Sequence, residues 1–200
     1  MAIIFDTLLT KGVRAGEIPA RTQQAREWYR DAAKNVNKVN ENTMMKKDPS
    51  RMTTKLTVGS MYLFQYDPKF KKELPYYDTL PLIFPFKVVP GGFYGINLHY
   101  LPPQLRAKLM DALYSYTNNT KYDESTKLKI TYNILEASAR SNLIAPCVKH
   151  YLLDHTMSKF MYIYPSEWDI ALFLPLARFQ KRNANYVYGQ SRKIINSRND

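Results

Sequence analysis

The sequence predicts an α+β fold, in which a small, bent antiparallel sheet or partial barrel is followed by a helical half, with extended basic arms at both ends. Residues from about 56 to 101 follow the two-residue period of strands and contain the turn sequence Pro90-Gly91-Gly92. After Pro102 the apolar residues recur at helical spacing as far as about residue 177. This change of period, together with the charge distribution, is the basis of the prediction.

The charge distribution divides the chain into three regions. Residues 1–55 carry 11 basic and 6 acidic side chains, residues 56–177 carry 12 and 10, and residues 178–200 carry 6 and 1. We therefore predict a basic N-terminal arm with a linker (1–55), a compact α+β domain (56–177) and a basic C-terminal tail (178–200). Basic ends on a nearly neutral body indicate a polyanionic partner, either nucleic acid or an acidic protein surface.

The N-terminal region offers little apolar surface for packing. Residues 1 to about 10 predict a short amphipathic helix or a docking peptide. The stretch 19–47 is rich in helix formers, with Arg26 and Arg30 on one basic stripe. Trp28 is one of its few large apolar groups. Because so thin an apolar stripe cannot hold a helix on the core of its own domain, we expect this helix to be exposed, flexible or packed on another subunit.

Three strands are expected in the central region. Residues 55–66 are apolar on both faces, which indicates a strand that is covered on two sides. Residues 82–89 form the second strand, and Pro85 within it predicts an edge position or a bulge, because proline cannot donate to the ladder. Residues 93–101 return after the Gly-Gly turn as the third strand.

Proline and aspartate mark the helices that follow. Pro103 begins a helix at the first turn, where proline is tolerated, and Asp123 or Ser125 caps a second one.

The remainder of the helical half is more irregular. Pro146 is predicted to open a third helix, with Val148 and Leu152 on its inner side. Residues 160–164 predict a short strand. Pro165 begins a final short helix.

Catalytic and metal-binding signatures are absent from the sequence. Cys147, His150 and His155 offer three ligands, but a fourth is missing, so we expect a buried thiol, two surface imidazoles, no metal and no cofactor. His99 is interpreted as a hydrogen-bonded structural group. A nuclease, which needs a carboxylate cluster, is the least favoured interpretation. No run of about 18 apolar residues exists, so no membrane contact is expected.

The 16 tyrosines suggest an interface, since the ring of a tyrosine can be buried in a contact while its hydroxyl reaches water or a polar partner. The residues predicted to lie at a subunit interface are Tyr62, Tyr76, Tyr77, Tyr94 and Trp28. Stacking on nucleic-acid bases is the alternative. A protein interface is favoured because the lysines between 69 and 72 cluster in one loop and do not alternate with the rings.

Phosphate neutralisation by the arms is the expected mode of DNA binding. It requires no base-specific contact and is strongly salt-dependent. The cations predicted to bind nucleic acid are, first, Arg182, Arg192, Lys193 and Arg198, and, second, Arg26 and Arg30.

Two motifs carry a resemblance to a known family. LPYYD (74–78) and NLHYLP (97–102), set within a likeness that covers about residues 59–180, resemble virion proteins of large contractile-tailed bacteriophages. Within these, the chain is similar to the DNA end protector or head-completion proteins.

The resemblance implies a non-enzymatic structural protein of the virion. It would protect the end of the packaged double-stranded DNA, independently of sequence, near the head-tail junction, beside portal, neck or tail subunits, after assembly in the host cytoplasm. The resemblance supplies no catalytic residue. The alternative is a neck, tail or baseplate assembly protein whose arms bind neighbouring subunits of a symmetric homo-oligomeric ring.

Overall fold

Seven helices and eight strands make up the part of the chain that the computed structural model describes, residues 4–17, 22–117 and 121–197. The helices are α1 (Ile4–Arg14), α2 (Gln23–Lys34), α3 (Glu41–Lys47), α4 (Pro103–Thr117), α5 (Glu124–Ala139), α6 (Trp168–Phe173) and α7 (Ala184–Asn196). The strands are β1 (Met52–Thr53), β2 (Met61–Leu63), β3 (Tyr77–Asp78), β4 (Leu82–Val89), β5 (Gly92–Asn97), β6 (Val148–Leu152), β7 (Phe160–Ile163) and β8 (Phe179–Gln180). The predicted α+β class is confirmed.

Six strands form an open antiparallel sheet in the order β1-β7-β2-β4-β5-β6, and β3 and β8 form a separate ribbon. Strand β4 lies inside the sheet and not at its edge. The predicted bulge is confirmed, because the register shifts between Pro85 and Lys87. The bulge accommodates a proline at an interior position of a sheet.

The β4–β5 hairpin has the predicted turn at Pro90 and Gly91. Gly91 has a φ of +73°, which suits the position after proline in a type II turn. Gly92 is required for a different reason: a Cβ atom there would lie 2.3 Å from the carbonyl oxygen of Tyr151 on β6. The hairpin can therefore approach β6 closely.

The helix predicted from Pro146 is wrong. A single 3-10 turn spans Ala145–Cys147, and β6 then pairs antiparallel with β5, from Gly92 opposite Leu152 to Ile96 opposite Val148. Val148 and Leu152 fit helical spacing, but the free edge of β5 provides hydrogen-bond partners for an extended chain.

An aromatic cluster lies apart from the main core of the protein. It consists of Tyr62, Phe64, Tyr66, Ile83, Phe93, Tyr151 and Phe160. Tyr62 is 2% exposed, and its hydroxyl accepts a hydrogen bond from the Thr57 N–H. The structure therefore places Tyr62 inside the protein, and its predicted position at a subunit interface is wrong.

Helices α1 to α3 belong to the main core, so the prediction of an N-terminal arm and linker is wrong. Phe5, Leu8, Tyr29, Ala33 and Met44 are buried in the same cluster as the sheet residues. Helix α2 packs against α6. Small and aromatic side chains such as Ala33 and Tyr29 bury well against a neighbouring helix, even where the apolar stripe looks thin in the sequence.

A buried ionic cluster fixes α2 to α4 and α6. Arg26 and Arg30 are 1% and 5% exposed. Asp111 accepts hydrogen bonds from both guanidinium groups at 2.6 and 2.7 Å, and Asp169 accepts from both at 3.0 and 2.7 Å. The prediction that Arg26 and Arg30 contact DNA is therefore corrected, since their charges are buried and already paired.

The predicted C-terminal tail is folded as far as residue 197. Val187, Ser191 and Ile195 on α7 are buried, and the Ser191 hydroxyl donates to the carbonyl of Tyr100 at 2.7 Å. Arg178 donates to the carbonyl of Val39 and is half-buried. Residues 178–197 are thus part of the domain.

A buried carboxylate, Asp78, joins three segments of the chain. Its oxygens accept hydrogen bonds from the backbone N–H groups of Leu80 (3.0 Å) and Arg178 (3.1 Å) and from the side chain of Asn97 (3.1 Å), and one oxygen lies 2.7 Å from Nδ1 of His99. Burial opposes its ionisation, but the His99 ring and the hydrogen bonds prevail and lower the pKa of Asp78. The predicted structural role of His99 is confirmed.

His99 is buried as a neutral ring. Its Nε2 atom has no hydrogen-bond partner within the described residues, which fits a ring that donates from Nδ1 to Asp78. Burial lowers the pKa of His99 against the attraction of Asp78, and the charges of Arg106 and Arg178 lower it further.

The lowered pKa of His99 predicts a loss of stability on mild acidification. Below about pH 6.5 the unfolded chain binds a proton that the folded His99 ring does not bind. The free energy of unfolding should therefore fall as the pH drops below about 6.5, by up to about 1.4 kcal/mol per pH unit. Urea unfolding at pH 7, 6 and 5 measures this, and H99N, which keeps a donor near Asp78, should show a shallower fall. A wild-type stability that rises on acidification would contradict the assignment of a neutral His99.

Candidate nucleic-acid interface

The predicted DNA-binding cations divide into three groups in the structure. Arg182, Arg192 and Lys193 are exposed, the first just before α7 and the others in its last turns. Arg198 lies outside the described residues. Arg26 and Arg30 are in the buried ionic cluster. The exposed group therefore remains as the candidate for contacts with phosphate.

Arg182 lies at one end of a row of aromatic rings. Its guanidinium carbon is 5.2 Å from the ring centre of Tyr186, whose ring is 6.1 Å from that of Tyr76. Tyr76 is 6.0 Å from Tyr100, and the ammonium of Lys149 is 4.1 Å from the centre of the Tyr100 ring. We name Tyr76, Tyr100 and Tyr186 the aromatic row. It has a cation at each end.

Lys181 fixes the neighbouring loop of residues 67–77. Its ammonium donates to the carbonyls of Lys72 (3.0 Å) and Leu74 (2.7 Å), and its backbone φ is +67°, which is uncommon outside glycine. Lys71 binds Asp67 within the loop at 2.8 Å. Lys69, Lys71 and Lys72 are exposed, so the loop presents cations beside the start of α7.

A pocket of about 350 Å³ lies between this loop and β6, which is the outer strand of the sheet. We name it the loop–strand pocket. Phe70, Tyr77 and Tyr100 line it together with Lys69 and Lys149. Its walls thus combine flat apolar surfaces with positive charge.

Lys149 is the most enclosed of these cations. Burial lowers the pKa of its ammonium, because the charge loses hydration, and the nearby Cys147 acts in the opposite direction. Burial also raises the pKa of the Cys147 thiol to about 12, so this cysteine is inert at neutral pH. An anion beside Lys149 would replace part of the lost hydration.

The other predicted interface residues are dispersed. Tyr76 belongs to the aromatic row, and Tyr77 lines the loop–strand pocket. Tyr94 stacks on His150, with ring centres 4.7 Å apart, and Trp28 packs edge-on against Tyr29 on α2. Tyr76 and Tyr77 thus lie beside the candidate cations, Tyr94 contacts the pocket-lining residue His150, and Trp28 lies on α2.

Sequence reasoning missed Phe70, Tyr100 and Lys149. The sequence favoured a protein interface over base stacking because lysines and rings do not alternate along the chain. In the structure they alternate in space, because the rings and cations come from the 67–77 loop, the 3-10 turn after β5, the strand β6 and the start of α7. The motifs LPYYD and NLHYLP contain most of these rings, so they were the sequence signal that could have pointed to this surface.

Metal ligation and membrane insertion find no support in the described part of the chain. Within residues 4–17, 22–117 and 121–197, no group of three or more His, Cys, Asp or Glu side chains could hold a metal ion. The same residues contain no helix long and apolar enough to cross a membrane.

Comparison with known proteins gives one match. The family model described as phage T4 terminal DNA protecting protein matches residues 9–196, which is nearly the whole chain. Neither the curated proteins nor the solved structures contain a match.

Proposed function

This chain belongs to the family of the phage T4 terminal DNA protecting protein, and from this premise we propose that it binds the end of a packaged double-stranded DNA and shields it from nucleases. The observation that carries the proposal is the surface formed by the aromatic row, the loop–strand pocket and the cations around them. We name it the cation–aromatic surface.

Phosphate neutralisation supplies the affinity. The exposed cations beside the row and the pocket are Lys69, Lys72 and Arg182, and α7 carries two more, Arg192 and Lys193, in its last turns. Contacts of this kind are independent of sequence and release counterions, so binding weakens as salt increases. A protein that protects the terminus of any genome sequence needs this property.

The rings supply a preference for an end over the interior of a duplex. Base pairs inside a duplex are stacked on both faces, whereas the terminal pair leaves one face open. Tyr186 is exposed and Tyr76 is half-buried, so both offer ring surface beside Arg182. Stacking of a base on an aromatic side chain contributes about 1–3 kcal/mol and does not depend on sequence.

The triple variant R182Q/R192Q/K193Q tests the proposal. We expect it to lose most of its protection of linear DNA against an exonuclease, and the slope of log affinity against log salt to become shallower by about 2 to 3. The charge-matched control is K46Q/K55Q/K129Q, whose three lysines are exposed on other elements. Equal protection by the two variants would contradict the assignment of this surface.

A role in head completion near the head-tail junction is the finer part of the proposal. Val88 on β4 and Leu153 after β6 are exposed apolar residues at the hairpin end of the sheet, and the Leu153 N–H donates to Gly91. Exposed apolar groups at one end of a sheet suit contact with portal, neck or tail subunits or with further copies in a ring. The protein would then act in the virion, after assembly in the host cytoplasm.

A further inference from the structure

We infer that the loop–strand pocket receives an unpaired terminal nucleotide of the bound DNA, so that the protein recognises a frayed or overhanging end and not only a blunt one. This inference rests on the proposed function and assigns a separate site to the last nucleotide. The aromatic row and the α7 cations would hold the adjacent duplex.

The size and lining of the pocket fit one nucleotide. Its volume of about 350 Å³ falls within the range of about 300–1,000 Å³ that is usual for small-molecule sites. Phe70 is 55% exposed, although it lines the pocket. A base stacked on this ring would cover apolar surface that water now contacts.

The charges around the pocket favour a ligand that carries phosphate. Lys69 and Lys149 line it, and Lys181 lies behind the loop at the carbonyls of Lys72 and Leu74. The carboxylate at the rim, Asp67, is already paired with Lys71. The phosphate would therefore lie near Lys69 and Lys149.

The carboxylate of Asp78 also lines the pocket but does not oppose this arrangement. Its two oxygens are held by the N–H groups of Leu80 and Arg178, the amide of Asn97 and the ring of His99. A carboxylate that accepts this many hydrogen bonds has few free lone pairs for a ligand. The base, and not the phosphate, would lie on this side.

An extended peptide added to the outer strand β6 is the competing occupant. The Leu152 N–H, at one end of β6, already donates to the hydroxyl of Tyr66 at 3.1 Å. A peptide would also gain little from Lys69 and Lys149 unless it were acidic. The combination of stacking surface and cations therefore favours the nucleotide.

The experiment compares three DNA duplexes that differ only at one end, the other end being closed by a hairpin loop. The first duplex ends in a two-nucleotide overhang with 2-aminopurine as the terminal base, the second is blunt, and the third is closed by a hairpin at this end too. The full-length protein is used as wild type and as F70A and K149M, with Y122A and K129M as controls at exposed positions. F70A alters an exposed side chain, so its folding should be preserved.

We expect the wild type to bind the overhang about tenfold more tightly than the blunt end and to change the fluorescence of the terminal 2-aminopurine. F70A and K149M should each weaken overhang binding about five- to tenfold and blunt-end binding by a smaller factor, so that the preference for the overhang falls, whereas Y122A and K129M should keep the wild-type preference. Both effects together would support the pocket as the site of the nucleotide.

Two results would overturn the inference and can be told apart from failure of the proposed function. If the wild type binds overhang and blunt ends equally but discriminates both from the closed duplex, the protein binds ends without using the pocket. If F70A and K149M bind all three duplexes like the wild type yet fail to join virions, the pocket receives a protein segment. If the wild type does not discriminate any open end from the closed duplex, the proposed function itself is wrong.

Discussion

Replacement of Asp169 by alanine is expected to lower the free energy of unfolding by about 3–5 kcal/mol, because the variant leaves two buried guanidinium groups with a single carboxylate between them. Asp169 contacts Arg26 at 3.0 Å and Arg30 at 2.7 Å, and both arginines are almost fully enclosed. The remaining carboxylate, Asp111, cannot balance both charges. The loss of stability therefore comes mainly from a buried guanidinium charge that is left without a counter-charge, and less from the attraction within one ion pair.

Urea unfolding at pH 7 measures the effect of D169A. The matched control is D31A, which removes an exposed carboxylate that pairs with Lys34 three residues later, and its loss should stay within about 1 kcal/mol. If D169A and D31A differ by less than about 1 kcal/mol, the arginine cluster is not a determinant of stability. D169N keeps a hydrogen-bond acceptor without the charge, so its loss of stability should lie between those of D169A and D31A.

Replacement of Asp78 by alanine is the second change with a large expected effect. It would remove the shared acceptor of Leu80, Asn97, His99 and Arg178. The Leu80 N–H and the His99 ring would lose this acceptor in a buried site, whereas the Asn97 amide would keep the hydroxyl of Tyr151 as a partner. We expect a loss of about 3 kcal/mol or more in the free energy of unfolding. The exposed Asp154 provides the control variant, D154A, with little expected change.

The same replacement should also affect DNA binding, because Asp78 lines the loop–strand pocket and supports the chain between the 67–77 loop and β4. The underlying structural change is a local loosening of the backbone around Asp78, which amide hydrogen exchange measures. We expect faster exchange in D78A at Leu80 and Arg178, whose N–H groups lose their acceptor. Unchanged protection at both amides would contradict the role of Asp78 as their shared acceptor.

The elements that sequence reasoning located are those that local chemistry specifies. Pro103 begins α4, the Asp123 side chain caps α5 by accepting from the Thr126 N–H, and Gly91 completes the β4–β5 turn. Each of these features depends on one residue and its near neighbours. No distant partner has to be known.

The N-terminal region was misjudged because its partners are distant in sequence. Arg26 and Arg30 count as surface charge when the sequence is read alone, yet Asp111 and Asp169 lie more than 80 residues away. Arg51 is likewise buried against Glu167. Counting charges by segment therefore overestimates the positive charge at the surface wherever arginines are buried in ionic clusters.

The candidate site was predictable only in part, for the same reason. An excess of charge near the C-terminus sufficed to select Arg182, Arg192 and Lys193. The rings that accompany them lie on other elements, and β6, which carries Lys149, was predicted as a helix. The alternation of rings and cations exists only after the sheet has brought these segments together.

The most direct test of the cation–aromatic surface is photo-crosslinking from a DNA end. A duplex with 4-thiothymidine as its terminal base, closed by a hairpin at the far end, would be irradiated with the wild-type protein, and crosslinked peptides would be identified by mass spectrometry. The predicted crosslinks lie in residues 66–78, 148–152 and 178–193, and they should be lost when the probe is moved to the middle of the duplex. Crosslinks concentrated on α3 or α5, or equal crosslinking from the terminal and the internal probe, would contradict the assignment of this surface to the DNA end.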